Sequence, residues 1–171
     1  MDRKPLDKYK KIKIVLTDVD GVLTDGGMYY TKYGDSMKRF HTRDGMGVNL
    51  LLKNGIKTII ITKEKTKFVQ HWAKKMRVEK LFDSIDKKEK VLEKICMQFN
   101  VKLNELAFIG DDVNDIEIMK MVGITFVPND AVKEVKVLAH YVCKLNGGEG
   151  VLREVSDLIL NKKLGKKKKL Y

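Results

Sequence analysis

Five aspartates in two short runs carry the densest chemistry of this sequence: Asp18-Val19-Asp20-Gly21 and Gly110-Asp111-Asp112-Val113-Asn114-Asp115. Each run follows a short apolar segment, Ile12–Thr17 in one case and Leu106–Ile109 in the other, so each reads as the end of a buried parallel strand. Carboxylates gathered from two strand ends repel one another unless a cation lies between them. Three oxygen ligands with room left for water suit Mg2+, which keeps several waters and pairs with a substrate phosphate. A single aspartate at a strand end can equally be a helix cap or a turn former. That plainer reading covers Asp112 or Asp115 alone, but poorly covers both runs together. A third apolar segment, Ile56–Ile61, ends in Thr62-Lys63-Glu64 and adds a hydroxyl and a further carboxylate.

These residues need a scaffold, and the periodicity supplies one. After the first strand, Met28–Tyr30 and Lys38–His41 read as a hairpin across Tyr33-Gly34-Asp35. Gly45–Lys53 has helical spacing and stops at Asn54-Gly55. Strand Ile56–Ile61, helix Lys65–Lys75 and strand Val78–Phe82 follow, then helix Lys87–Phe99 with Val91, Leu92, Ile95 and Phe99 on one face. Strand Leu106–Ile109 leads to helix Val113–Val122. Strands Ile124–Val127 and Tyr141–Val142 flank a further helix, and Val151–Leu160 closes the chain as a helix. This alternation predicts an α/β fold, a doubly wound Rossmann-like parallel sheet whose ligands bind outside the carboxyl ends of the strands. One domain over 12–161 is expected, with a basic extension at 1–11 and a disordered Lys-rich tail at 162–171.

Charge narrows the partners. The 171 residues hold 35 Lys+Arg against 23 Asp+Glu, a net of +12. Most of that excess is terminal: residues 162–171 carry six lysines and no acid, Asp2–Lys13 is +4, and residues 14–161 are left at +2. The basic ends lack interleaved aromatics or a helix-turn-helix pattern, so nucleic acid is not an expected partner. No apolar run approaches the roughly 18 residues of a membrane span, and no charged-then-apolar leader opens the chain. Cys96 and Cys143 have neither CxxC spacing nor histidine partners, and read as reduced thiols of a cytoplasmic protein. His41, His71 and His140 are not at metal-ligand spacing, and Trp72 reads as a packing residue.

LTDVDGVLTDG (16–26) and IGDDVND (109–115) resemble the first and fourth motifs of the haloacid dehalogenase superfamily of phosphatases. Thr42-Arg43-Asp44-Gly45-Met46-Gly47, a lysine opening the Lys87–Phe99 helix, and GGEGVLREV (147–155) extend the resemblance to its small capless subgroup. That subgroup comprises 3-deoxy-manno-octulosonate 8-phosphate phosphatases and nonulosonate 9-phosphate phosphatases. The resemblance implies Asp18 as nucleophile and Asp20 as acid and base, with Thr62 and Lys88 holding the phosphoryl group. It implies Mg2+ bound by Asp18, Asp111 and the Asp20 backbone carbonyl, with Asp112 and Asp115 supporting the metal and orienting Lys88. Lys88 is preferred to Lys87 and Lys90 because its distance to Gly110 matches the subgroup.

Two positions depart from the family pattern: Lys63 stands where glycine is usual, and Glu64 where the octulosonate enzymes often have arginine. Glu64 with Lys75 and Glu149 resembles the nine-carbon enzymes, whereas Arg43-Asp44-Gly45 resembles the eight-carbon ones. The balance tips towards a nine-carbon sugar-acid phosphate, with Arg43, Glu64, Lys75 and Glu149 as substrate contacts. The backbone of Gly147–Gly150 either approaches a substrate anion or forms a plain loop. Only 41 residues separate Asp20 from Thr62, and 25 separate Thr62 from Lys88, so neither interval holds a cap domain. The resemblance therefore implies a homotetramer, in which the apolar hairpin (Met28-Tyr29-Tyr30 and Phe40) covers a neighbour's site. The other reading is a non-catalytic module of this fold, of the kind associated with sugar-acid cytidylyltransferases.

Overall fold

The computed structural model describes residues 4–165. The chain enters its main sheet with β1 (Ile14–Thr17) and leaves for a hairpin of β2 (Tyr29–Thr31) and β3 (Gly34–Met37). It returns through β4 (Lys57–Ile61), β5 (Lys80–Phe82), β6 (Leu106–Ile109), β7 (Ile124–Val127) and β8 (Tyr141–Val142). The six strands of the main sheet are all parallel, in the order β5-β4-β1-β6-β7-β8. Winding runs outward from β1 in both directions, which makes the carboxyl end of β1 the switch point where such sheets bind ligands.

Alternate side chains of β1 serve two cores. Val15 packs with residues of α2 (Thr42–Lys53), α3 (Lys67–Lys75) and α7 (Val151–Leu164). Ile14 and Leu16 pack with residues of α4 (Leu92–Phe99), α5 (Ile116–Met121) and α6 (Lys133–Leu138). Burial on both faces is why β1, β6 and β7 read as unbroken apolar runs.

Three features differ from the sequence reading. Lys4–Lys11 forms α1, packed on α7, with Tyr9 buried edge-on to Phe126 at 6.2 Å. An eight-residue helix is marginal alone, so its existence depends on this docking. Lys162–Leu164, assigned above to the tail, continue α7, and Lys163 Nζ donates to Ile12 O at 2.6 Å. The rest of the expected disordered tail, residues 166–171, lies outside the described residues. Finally, the return strand of the hairpin is Gly34–Met37 and not Lys38–His41. The Tyr33 N–H donates to Thr31 Oγ1, closing the turn one residue earlier. Phe40 then leaves the hairpin, bridges Thr24 and stacks on Trp72 with centroids 5.2 Å apart.

Candidate active site

Because β4, β1 and β6 are neighbours, the residues that follow them converge on one edge of the sheet. Pairing continues one residue past each strand: Asp18 N–H donates to Ile109 O at 3.0 Å, Thr62 N–H to Phe82 O at 2.9 Å, and Gly110 N–H to Phe126 O at 3.2 Å. Above these ends lies a crevice of about 300 Å3, lined by Asp18, Asp20, Thr62, Glu64, Asp111 and Asp112 among others. Gly21 lets the loop turn there: its φ is +77°, and a Cβ would lie 2.0 Å from an Asp111 carboxylate oxygen.

Lys88 opens the single 3-10 turn that precedes α4 and is 1% exposed, whereas Lys87 and Lys90 are exposed. Its ammonium is bound by Asp18 Oδ2 and lies 2.6 Å from Asp115 Oδ1. Burial works against the charge, but the two carboxylates outweigh it and hold the lysine protonated above its usual range. Asp18 Oδ1 accepts from the Val19 N–H at 2.7 Å. Asp115, fully buried, gives its second oxygen to the Asp111 N–H at 2.9 Å. It thereby braces both Lys88 and the Asp111 backbone. Asp112 does not reach Lys88; it accepts from the Val113 N–H at 2.7 Å and caps the next turn, as the plainer reading allows.

Asp18, Asp111 and Asp115 each present an oxygen within 4.8 Å of the others. Burial pushes Asp111 up to about 8, reinforced by repulsion from Asp18 and Asp115. Burial also raises Asp18 to about 6, with Lys88 opposing and Asp115 adding to the rise. A crevice that penalises its own negative charge, gathers several carboxylate oxygens and opens to water fits a hard divalent cation. Asp18 and Asp111, which line the crevice, are the carboxylates placed to hold one.

Asp20 lines the same crevice. Its Oδ1 accepts from Lys38 Nζ at 2.5 Å and from Thr24 Oγ1 at 3.2 Å. Lys38 also donates to Glu64 Oε2 at 2.8 Å, so Glu64 lines the crevice with one oxygen already engaged. Sequence reasoning missed Lys38, since it lies 18 positions along the chain from Asp20, across a hairpin. The other expected substrate contacts lie elsewhere on the same chain. Lys75 lines a neighbouring cavity of about 380 Å3 with Phe40, Trp72 and His71. Arg43 lines a third, with Arg153 and Asp157, and Glu149 is exposed outside the crevice. The Gly147 and Gly148 N–H groups are spent on Asp130 and Val22 O, so they are not available to an anion. Lys63 needs no glycine-like backbone: among described non-glycine residues, positive φ occurs at Arg77, Ser84 and Asn100.

Known proteins share this fold. Residues 72–155 match the family model of haloacid dehalogenase-like hydrolases. A 3-deoxy-D-manno-octulosonate 8-phosphate phosphatase of Haemophilus influenzae is 34% identical over 153 residues, spanning 90% of this chain and 85% of the relative. The chain belongs to the haloacid dehalogenase-like hydrolases. Within that family it is a phosphomonoesterase. The cobalt-bound structure of the Haemophilus influenzae octulosonate phosphatase has a TM-score of 0.88 at 33% identity, covering 91% of each chain. A Moraxella catarrhalis octulosonate phosphatase, solved with a magnesium ion, a phosphate ion and a KDO molecule, has a TM-score of 0.91 at 29% identity, over 96% of this chain and 94% of that one. Among the described residues, no helix is long and apolar enough to cross a membrane.

Proposed function

We propose that this hydrolase cleaves 3-deoxy-D-manno-octulosonate 8-phosphate in two steps, through an aspartyl-phosphate on Asp18. The observation that carries this reading is the Lys88 ammonium bound between Asp18 and Asp115, with Asp111 alongside. A nucleophile, a cation for phosphate and a ligand for metal thus share one strand edge. Asp18 attacks phosphorus; the bond from phosphorus to the sugar oxygen breaks, and Asp20 gives that oxygen its proton. Asp20 then takes a proton from the water that attacks the phosphoryl-aspartate, and inorganic phosphate leaves. Lys88 and the Thr62 hydroxyl hold the equatorial oxygens throughout. Asp18, Asp111 and the Asp20 backbone carbonyl would hold Mg2+, which when bound would supply further positive charge against the phosphate.

The eight-carbon substrate is favoured over the nine-carbon one because the relatives above carry the eight-carbon name. Glu64 and Lys75, on which the nine-carbon reading leans, also line different cavities. Arg43, Lys75 and Glu149 are proposed to contact the sugar acid where subunits of a homotetramer meet.

Phosphate release from octulosonate 8-phosphate and N-acetylneuraminate 9-phosphate, measured side by side, tests the assignment. The eight-carbon ester is expected to show the higher kcat/KM, with turnover lost in Asp18→Asn and on chelating the metal. The reverse ranking moves the substrate to the nine-carbon class. No turnover of any phosphate ester by the unmodified protein returns the chain to the non-catalytic module.

A further inference from the structure

Lys38 lies one residue beyond β3, yet its side chain runs back into the fold and is only 9% exposed. Its ammonium is shared between Asp20 Oδ1 and Glu64 Oε2, at 2.5 and 2.8 Å. Thr24 Oγ1 donates to the same oxygen of Asp20 at 3.2 Å. Two donors on one carboxylate oxygen fix the rotation of the group about its last side-chain bond. They also make that oxygen the poorer seat for a proton. Asp20 Oδ2 accepts no hydrogen bond from the described residues and is left free to face the crevice.

We propose that Lys38 is a positioning residue that locks Asp20 with Oδ2 directed at the leaving oxygen, while Glu64 braces Lys38 from the crevice rim. This rests on the phosphatase reading above. When the phosphorus–oxygen bond breaks, the O–H bond on Asp20 Oδ2 breaks and a new O–H bond forms on the departing sugar oxygen. Freeing Asp20 to rotate would not change its chemistry, only the fraction of time it is aligned, and general-acid steps depend steeply on alignment. Lys38 also follows the hairpin directly, so the placement of β2 and β3 bears on the acid.

Leaving groups separate this role from plain structural support. A sugar alkoxide needs a proton to depart, whereas 2,4-dinitrophenolate does not. The experiment compares kcat/KM on octulosonate 8-phosphate and on 2,4-dinitrophenyl phosphate in Lys38→Met, Lys38→Arg and Glu64→Ala. In Lys38→Met the loss on the sugar ester is expected to exceed that on the aryl ester by about tenfold or more, within the range general acids contribute. Lys38→Arg, which keeps the charge, is expected to recover much of the difference, and Glu64→Ala to show a smaller loss of the same kind. Equal losses on both esters, or no loss on either, overturn the proposal. Glu64→Ala carries the same comparison should Lys38→Met fail to fold. Failure of the unmodified protein to hydrolyse either ester instead overturns the phosphatase reading.

Discussion

Asp111 sits beside Asp18 and Asp115 in the wall of the crevice, and burial with their repulsion holds it near 8. Asp18 is held near 6, chiefly by burial. A divalent cation binds the ionised carboxylates, so it must displace whatever protons they carry. Affinity for a divalent cation is therefore expected to rise as pH passes through about 6 to about 8 and to level off above. The expected slope is about tenfold per pH unit for each proton displaced. Titration calorimetry at several pH values, in buffers of different ionisation enthalpy, measures both slope and proton release; an affinity flat with pH would sink the idea. At this scale Asp18, Asp20, Thr62 and Asp111 were legible because each follows its strand within a few residues. Lys38 was not, because only the folded hairpin brings it to Asp20.

Helix α7 begins at Gly150, which offers no side-chain cap. The cap comes from another helix: Asp44 of α2, fully buried, accepts from the Arg153 N–H at 3.0 Å. Its second oxygen has no hydrogen-bond partner. Burial therefore pushes Asp44 up to about 7, with the Arg153 and Leu152 N–H groups opposing. Below about pH 4 the group is protonated in both folded and unfolded chains. As pH rises to about 7 the unfolded chain ionises first, so unfolding releases a proton and stability falls; above 7 the cost is constant. Asp44→Asn keeps the accepting oxygen and removes the charge. Its stability relative to the parent is expected to grow by about 4 kcal/mol between pH 4 and 8, at 1.36 kcal/mol per pKa unit. Urea unfolding of both proteins across that range measures the difference, and a difference independent of pH would refute it. Sequence reading singled out the Thr42–Gly47 segment but not this use of Asp44, since capping between helices depends on how α2 and α7 pack.

The hairpin concerns the molecule as a whole. Met28, Tyr30 and Tyr33 are 65%, 61% and 87% exposed on the single chain, an apolar surface unusual for a monomer. Phe40, grouped with them by sequence, is instead stacked on Trp72 of its own chain. An open crevice of acids is also a poor place to protect a phosphoryl-aspartate from bulk water. The proposed homotetramer would answer both, so light scattering is expected to give the mass of four chains. Tyr30→Asp is expected to shift the population to smaller species and to lower activity on the sugar ester. A fully active monomer at working concentration would refute this assembly.

The amino-acid sequence alone carries the α/β class, the parallel sheet and the identity of the acids at the ends of β1 and β6. Those properties are local: apolar runs buried on both faces make strands, and the residues next in the chain must stand at their ends. It also located Lys88, though not its place between Asp18 and Asp115. The folded chain settled the rest. It divided the aspartates into crevice carboxylates, a buried brace and a turn cap, joined Lys38 to Asp20, docked α1 on α7, and set Arg43, Lys75 and Glu149 outside the crevice. Apart from the Asp112 cap, which is local, these depend on contacts between segments far apart in the chain, which spacing along it does not encode.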